Sequence, residues 1–458
     1  MSNSVSQLTV AKFGGTSVAN YEAMSRCARI ILDNPSIRLV TVSASAGVTN
    51  LLVKLGNESL SSNERESVLQ QIRSIQNSIL NDLNRPREVS DTVQELLAQL
   101  AGVANEADLL NSSKLKDELL SFGERMSSVL FAEVMNQLAA QSVAQSFDGR
   151  QVLKTDSTFG KAEPNIAQSK KQAESLLLPL LEQRIVITQG FIGQDSFDNT
   201  TTLGRGGSDY SAALFAEAVS AFALQIWTDV PGIYTTDPRI TDKAHPISEI
   251  SFDEAAEMAT FGAKILHPAT LIPAIRSGVK VFVGSSLDPN AGGTWISKEV
   301  EHKPTYRAVA LRKDQTLITV TSPEMLHATG FLARVFAILA KHKLSIDLIT
   351  TSEISVALTI DNPPNTPVAA LTEACIHDLN DFCDVQVESG LSLVAVIGNH
   401  IHSSEAQNGG VASLFSSVAN DQLRMICHGA SQHNVCFLVQ QESAENVVRQ
   451  IHDDLFAA

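Results

Sequence analysis

Short apolar runs alternate with helical stretches through the first 300 residues. Strand-like runs stand at 39–42, 185–188 and 279–283, and residues 20–33 carry apolar side chains at helical spacing. Alternation of this kind is typical of layered α/β proteins. The pattern therefore predicts an α/β domain with a mainly parallel sheet.

Residues 59–119 break this alternation, because they are polar and helical with no strand signal. We interpret them as a helical subdomain or lid. On this interpretation Glu124 lies just beyond the lid.

The last third of the chain contains an internal repeat. Residues 317–360 show a strand, Gly330, a helix and two strands, and residues 393–439 repeat this order around Gly410. The pattern of each copy predicts the element order βαββα. The first copy continues into a strand at 385–387, whereas the second ends after its last helix. A spare strand at 306–311 would complete the second copy, so we predict two interlocked ferredoxin-like (βαββαβ) units.

Turn residues at 288–294 close the first domain, and a linker begins at 302–304. The predicted domain limits are 1–300 for the α/β domain and 313–390 for the first repeat unit. The second repeat unit combines 305–312 with 391–458.

Composition limits the class of protein. A chain of 458 residues is long enough for two or three domains. The net charge of −16 argues against a nucleic-acid partner, whose phosphates require a basic face. The five cysteines lack metal-ligand spacing and are expected to be reduced, buried thiols. No signal peptide and no membrane-length apolar run is recognisable, so we expect a cytoplasmic protein without membrane contact.

The run Lys12-Phe13-Gly14-Gly15-Thr16 joins a strand-like run to a helical pattern. The first N–H groups of a helix lack partners and attract anions, and a lysine beside them strengthens such a site. An ordinary strand–helix turn with a solvated lysine has the same local pattern. The anion-site interpretation is favoured because similar chemistry recurs downstream.

The second such run is 204–210, which carries three glycines, Arg205 and Asp209 before a helical pattern. Glycine lets the backbone approach a ligand closely, and arginine offers a planar fork for a carboxylate or phosphate. We also expect Ser208 or Asp209 to cap the helix.

A third patch, residues 227–239, leaves a strand into a turn-rich loop. Its aromatic and arginine side chains suit a purine nucleotide at a strand end, although a surface loop fits equally well. No Walker-type GxxxxGK[ST] run and no HRD or DFG motif is present, which excludes P-loop enzymes and protein kinases.

Taken in order, these runs resemble the amino-acid kinase family, and within it the lysine-sensitive, monofunctional aspartate kinases. Runs at 43–50, 121–124 and 261–268 extend the resemblance over nearly the whole chain. The C-terminal repeats resemble ACT domains, which are amino-acid-binding modules. The resemblance implies a three-layer amino-acid kinase domain followed by two interlocked ACT domains.

The implied activity is transfer of the ATP γ-phosphate to the side-chain carboxylate of L-aspartate. The product is 4-phospho-L-aspartate, the first step of lysine, threonine and methionine biosynthesis, and L-lysine is the implied feedback inhibitor. The expected cofactors are ATP and Mg²⁺, and no residue is assigned as a metal ligand. Because the sequence ends at Ala458, we expect no attached homoserine dehydrogenase.

The resemblance also implies residue roles. Lys12 and Asp209 are the catalytic residues; Lys12 and the amides of Gly14 and Gly15 would hold the phosphoryl group, and Asp209 would orient Lys12. The substrate α-carboxylate is assigned to Arg205 and its ammonium to Glu124, for which a solvated helix position is the alternative. The remaining hydroxyl donors to the substrate are Thr49 and Ser208. The further nucleotide-binding residues are Thr228, Asp229, Tyr234, Arg239, Lys264 and Ile265.

Residues of the first repeat correspond to the lysine site of lysine-sensitive relatives. Asp347 and Glu353 beside an apolar wall suit a long ammonium side chain, although both could equally be solvated surface acids. Open sheet edges in such repeats predict a homodimer or a dimer of dimers. The full predicted effector set is Met325, Ala328, Phe331, Leu332, Ser345, Asp347, Ser352 and Glu353.

Two other functions stay open. A kinase in the same fold could phosphorylate another carboxylate or a carbamate, such as N-acetylglutamate or glutamate, but an N-acetylated acceptor has no ammonium for Glu124. A non-catalytic amino-acid sensor would not need Lys12, Arg205 and Asp209, and all three are present.

Overall fold

The computed structural model describes residues 8–204, 206–262, 266, 268–326, 329–361, 371–402 and 410–456. The chain forms two compact units. The first comprises Met1–Ile233, Pro246–Phe252 and Ile265–Val300, and the second comprises Tyr234–His245, Asp253–Lys264 and Glu301–Ala458. Two short segments of the second unit thus come from within residues 1–300, and the predicted domain limits stay a prediction.

The first unit is built on an eight-stranded sheet with the order β3-β4-β2-β1-β7-β9-β10-β8. Its neighbouring strands run parallel except for β9 and β10. A separate antiparallel pair is formed by β5 and β6. The described strands are β1 (Thr9–Phe13), β2 (Ile37–Val42), β3 (Ala144–Phe147), β4 (Ile185–Gln189), β5 (Ile192–Gln194), β6 (Thr200–Thr202), β7 (Ala223–Thr228), β8 (Glu249–Ser251), β9 (Lys280–Ser285) and β10 (Gly293–Ser297).

The predicted mainly parallel sheet is confirmed. Both β1 and β4 are buried at every position. Strands that are covered on both faces have continuous apolar sequences, and this explains why these runs were recognisable.

In the described residues, ten helices precede the C-terminal repeats. They are α1 (Tyr21–Leu32), α2 (Val48–Asn57), α3 (Ser62–Asp82), α4 (Arg87–Ala104), α5 (Ser113–Ala139), α6 (Ile166–Gln172), α7 (Leu178–Gln183), α8 (Gly207–Ala218), α9 (Phe252–Thr260) and α10 (Pro268–Ser277). A π-helical segment, Ala173–Leu177, joins α6 to α7, and a 3-10 turn stands at Gly149–Gln151. No helix in the described ranges is long and apolar enough to cross a membrane.

The helix predicted at 20–33 is confirmed as α1, whose N-cap Asn20 accepts a hydrogen bond from the Ala23 N–H at 2.9 Å. The helical segment predicted at 59–119 is confirmed as α3, α4 and the start of α5. Placing Glu124 beyond this segment was wrong, because α5 continues to Ala139. An isolated glycine such as Gly123 does not end a helix whose faces are packed.

The second unit contains a six-stranded sheet with the order β12-β13-β11-β14-β16-β15. Its strands are β11 (Ala308–Thr321), β12 (Ile349–Thr351), β13 (Ser355–Asp361), β14 (Asp384–Ile397), β15 (Met425–His428) and β16 (Asn434–Gln440). Its C-terminal helices are α11 (Phe331–Lys341), α12 (Glu373–Asn380), α13 (Gly410–Ser417) and α14 (Ala444–Leu455), and a 3-10 turn stands at Pro323–Met325.

The interlocked arrangement is confirmed by β11 and β14, which pair antiparallel from end to end apart from register irregularities between Arg312 and Leu317. Residues 308–312 of β11 pair with 393–397 of β14, next to β16, and complete the second repeat. Residues 315–321 of β11 lie between β13 and 384–391 of β14 and belong to the first repeat. The spare strand predicted at 306–311 is therefore the first part of β11. Each repeat has its own apolar core, one around Ile318 and Leu358 and the other around Val309 and Phe437.

Candidate active site

A cleft of about 670 Å³ lies in the first unit at the carboxyl ends of three adjacent strands. Lys12 lies near the end of β1, Ser43 follows β2, and Asp229 follows β7. The carboxyl edge of a parallel sheet is where open α/β folds bind ligands. The cleft thus joins three motifs that are far apart in the sequence.

Lys12 and Asp209 form an ion pair inside the cleft. The Lys12 Nζ and Asp209 Oδ1 atoms are 2.5 Å apart, and the two side chains are 11% and 18% exposed. A Cβ atom placed on Gly14 would lie 3.6 Å from Nζ, so the ammonium also lies beside the glycine turn. The ion pair fixes the Lys12 ammonium in the cleft, where few water molecules screen its charge.

Two helix N-termini also line the cleft. The N-cap residues are Gly47 for α2 and Gly206 for α8, with φ values of 85° and 73°, and neither end has a side-chain capping bond. The expectation that Ser208 or Asp209 caps α8 was wrong, since both residues lie inside its first turn. A left-handed glycine at the N-cap directs the chain into the helix and brings no side chain over the first amides. Such helix ends carry partial positive charge and favour bound anions.

Glu124 faces the cleft from α5 and is only 4% exposed, which excludes the solvated alternative. Its Oε1 accepts a hydrogen bond from the Ala44 N–H at 3.1 Å. Burial raises the pKa of Glu124 to about 8, while the bond from Ala44 opposes the shift. At neutral pH the free protein therefore holds a protonated acid here, and a cation bound beside it would favour the carboxylate.

Helix α5 reaches the cleft through a close approach at Gly123. A Cβ atom at Gly123 would lie 2.6 Å from the Ala44 Cβ and 3.3 Å from Leu52 Cδ1. One helical turn on, Ser127 Oγ donates to the Ser43 carbonyl at 2.7 Å. These contacts fasten α5 to the loop after β2 and set the position of Glu124.

A stripe of polar side chains on α5 was missed in the sequence. Asp117, Ser121, Glu124 and Ser128 recur at helical spacing, and all four are buried. Asp117 accepts hydrogen bonds from the Thr202 N–H (2.8 Å), the Thr202 hydroxyl (2.8 Å) and the Gly160 N–H (2.9 Å). Burial raises the pKa of Asp117 against these bonds. The recurrence of polar residues at helical spacing along α5 was the available signal.

Phe191 lines the cleft and was also missed. Its φ of 71° is a left-handed conformation that bulky residues rarely adopt. The Phe191 N–H donates to Ser211 Oγ at 3.0 Å, and its carbonyl accepts from the Leu203 N–H at 2.9 Å. Nothing in the sequence around Phe191 signals this conformation.

The predicted nucleotide residues are divided between the two units. Thr228 and Asp229 lie in the first unit, with the Thr228 hydroxyl 3.0 Å from Asp229 Oδ1, and Asp229 lines the cleft. Tyr234 and Arg239 belong to the second unit. Arg239 is 90% exposed and pairs with Asp237 at 2.6 Å.

The structure thus brings one part of the predicted site together in the cleft: Lys12, Thr49, Glu124, Ser208, Asp209 and Asp229, with Gly15 beside them. Arg205, Lys264, Ile265 and Ala328 lie outside the described residues.

The other predicted effector residues all lie in the first repeat. Met325 ends a 3-10 turn, Phe331 and Leu332 begin α11, and Ser345 and Asp347 precede β12. Ser352 and Glu353 lie in the turn between β12 and β13, where Ser352 Oγ is 2.6 Å from Ser355 Oγ. The carboxylate of Asp347 pairs with the guanidinium of Arg312 at 2.7 Å.

Comparison with known proteins agrees with this architecture. The family model for the amino acid kinase family matches residues 7–285, and the ACT-domain model matches 318–364 and 394–455. The lysine-sensitive aspartokinase 3 of Escherichia coli (strain K12) is 53% identical over 454 residues, covering 99% of this chain and 100% of the relative. The chain belongs to the amino acid kinase family and, within it, to the aspartokinases. The predicted family and fold class are confirmed.

Two solved structures of E. coli aspartokinase III are similar to the whole chain. The complex with aspartate and ADP (R-state) has a TM-score of 0.85 at 52% identity, covering 98% of this chain and 100% of the other. The complex with lysine and aspartate (T-state) has a TM-score of 0.87 at 52% identity, covering 99% and 100%.

Proposed function

We propose that this chain is an aspartate kinase that transfers the ATP γ-phosphate to the side-chain carboxylate of L-aspartate and is inhibited by L-lysine. The observation that carries the proposal is a cleft with a buried acid, Glu124, and the Lys12–Asp209 pair. The acid suits the ammonium of an amino-acid acceptor, and the lysine suits a phosphoryl group. The similar E. coli enzyme, solved with aspartate and ADP and with lysine, supports the same assignment.

Phosphoryl transfer to a carboxylate requires alignment and cancellation of charge rather than a protein base, because the acceptor is already ionised. Lys12 and the Gly14 and Gly15 amides are assigned to the transferring phosphoryl group. The N-termini of α2 and α8 add partial positive charge to the same cleft. Asp209 orients the Lys12 ammonium, a role that their 2.5 Å contact supports.

The substrate roles follow the chemistry of each group. Glu124 is assigned to the α-ammonium, Arg205 to the α-carboxylate, and the hydroxyls of Thr49 and Ser208 to supporting hydrogen bonds. For the nucleotide, Thr228, Asp229, Tyr234, Arg239, Lys264 and Ile265 remain the proposed contacts.

Mg²⁺ is proposed to enter with ATP. It is commonly held by one or two carboxylates together with substrate phosphates. The carboxylates of Asp209 and Asp229 in the cleft fit this requirement. Bound there, the ion would neutralise phosphate charge.

An assembly of two or four chains and a cytoplasmic location are further parts of the proposal. The first is supported by an exposed edge strand, β12, in the six-stranded sheet. The second is supported by the 53% identity to the aspartokinase 3 of E. coli.

The deciding experiment measures ADP release with L-aspartate, L-glutamate or N-acetyl-L-glutamate as acceptor, each with and without L-lysine. We expect ADP release that depends on aspartate and is suppressed by lysine. Release with N-acetylglutamate alone would assign a different acceptor. Nucleotide binding without turnover on any acceptor would favour the sensor function.

A further inference from the structure

Arg312 occupies a junction in the second unit. It lies on β11, where the register with β14 is irregular between Arg312 and Gln315 and the strand passes from one repeat to the other. Its Nη2 donates to Asp347 Oδ2 at 2.7 Å, and its Nη1 donates to the Thr260 carbonyl at 3.3 Å. The side chains of Arg312 and Asp347 are 17% and 24% exposed. One guanidinium thus links a predicted effector acid to the last residue of α9.

The C-terminal end of α9 is closely packed against β11. Gly262, two residues after α9, has a φ of 116°, and a Cβ there would lie 2.9 Å from the Leu311 carbonyl oxygen and 3.4 Å from the Arg312 Cβ. A guanidinium at the C-terminal carbonyls of a helix is also favoured by the helix dipole. In the sequence, Lys264, a predicted nucleotide contact, follows Thr260 by four positions.

Other groups anchor the rest of α9. Near its start, Glu254 is buried and accepts from Arg307 Nε at 2.8 Å and from Asn399 Nδ2 at 2.6 Å. In the middle, Glu257 accepts from Ser431 Oγ at 2.5 Å and from Asn434 Nδ2 at 2.7 Å. Arg312 differs from these anchors because its guanidinium also pairs with Asp347, a predicted effector residue.

We propose that Arg312 is a positioning residue that couples the lysine site to the nucleotide site through the end of α9. A lysine ammonium at the Asp347 carboxylate competes with the Arg312 guanidinium, because two cations at one carboxylate repel each other. Release of Arg312 removes its bond to the Thr260 carbonyl and loosens the end of α9. The inference rests on the proposed function, since it deepens the lysine regulation of the same enzyme.

Coupling of this kind is reciprocal. Lysine must weaken nucleotide binding by the factor by which nucleotide weakens lysine binding. If Arg312 carries the coupling, its removal diminishes both factors together. A residue that only shapes the lysine pocket would instead weaken lysine binding itself.

The test uses the full-length protein and calorimetric titration of ADP with and without lysine, and of lysine with and without ADP. For the wild type we expect a coupling factor of about fivefold or more. In Arg312→Gln, ADP binding without lysine should weaken several-fold, lysine should still bind, and the coupling factor should fall toward one. The matched control is Lys313→Gln, which removes the neighbouring exposed pair with Glu445 (2.6 Å) and should behave as wild type.

A second variant covers the case in which Arg312→Gln does not fold. Arg312→Lys keeps the positive charge near Asp347 but cannot reach two acceptors with a planar fork, so its coupling should also be reduced. A wild-type coupling factor in either folded variant would overturn the inference, and so would weaker lysine binding with an unchanged coupling factor. A wild type without aspartate-dependent turnover would instead contradict the proposed function.

Discussion

A single buried carboxyl group, Glu124, sets a pH dependence for the reaction. Its pKa of about 8 belongs to the free protein, in which burial disfavours the charged form. The neutral acid is the wrong partner for an ammonium, so kcat/KM for aspartate should rise as the pH increases through about 8. Glu124→Gln should lower kcat/KM and lack this ionisation. The same ionisation in the variant would assign it to another group.

The raised pKa of Glu124 also has a consequence for stability. The folded protein holds the proton up to about pH 8, whereas the unfolded chain releases it near 4.5. Its contribution to the free energy of unfolding is therefore complete below pH 4.5 and is lost as the pH rises to about 8. Melting temperatures of wild type and Glu124→Gln should diverge across this window, with the wild type falling relative to the variant. Parallel curves would contradict the pKa shift.

Lys12 should matter much more for turnover than for folding. It supplies a preorganised charge to the cleft, and loss of such a group typically costs about 10²-fold or more in rate. Turnover and melting temperature of Lys12→Ala test this, with the exposed Lys54→Ala on α2 as control. A loss of about tenfold or less, or outright unfolding of Lys12→Ala alone, would contradict the catalytic role.

At the scale of elements, the position of α5 depends on Gly123, which has no side chain to keep the helix away from Ala44. Gly123→Ala would place a methyl group 2.6 Å from the Ala44 Cβ and should push α5 away from the loop after β2. Overpacking of this kind costs typically about 1–3 kcal/mol in the free energy of unfolding. It should also raise the KM for aspartate, because Glu124 moves with the helix. Denaturant unfolding and steady-state kinetics measure the two effects.

The control for this change is Gly102→Ala on α4, where nothing lies within 4 Å of the added methyl group. Alanine is the better helix former, so this variant should gain up to about 1 kcal/mol. If both variants were equally stable, the close approach at Gly123 would not be what sets the helix position.

At the scale of the whole molecule, we expect at least a dimer. All three residues of the edge strand β12 are exposed, and bare edges of this kind are normally covered. Light scattering should give a mass of at least twice the 49.2 kDa of one chain. A single-chain mass at micromolar concentration, with lysine inhibition intact, would contradict this.

Much of the architecture could be predicted from the sequence because it follows from the local spacing of apolar residues. The strands of the parallel sheet are continuous apolar runs, and α1 has apolar residues at helical spacing after a capping Asn20. The interlocked repeats followed from counting strands, since the second copy lacked one and 306–311 offered one. The resemblance of the glycine runs to a known family then indicated the chemistry of the site.

The tertiary structure decided what depends on neighbours distant in the sequence. Burial in the folded chain raises the pKa of Glu124, and the hydrogen bond that opposes this shift comes from Ala44, 80 residues away. The buried polar stripe on α5 is satisfied in part by Thr202, 85 residues from Asp117. Arg312 joins Asp347 to Thr260, which are 35 and 52 residues from it. Periodicity determines which face of an element is apolar, but the cost of burying a charge and the partner that offsets it depend on through-space contacts that only the folded chain creates.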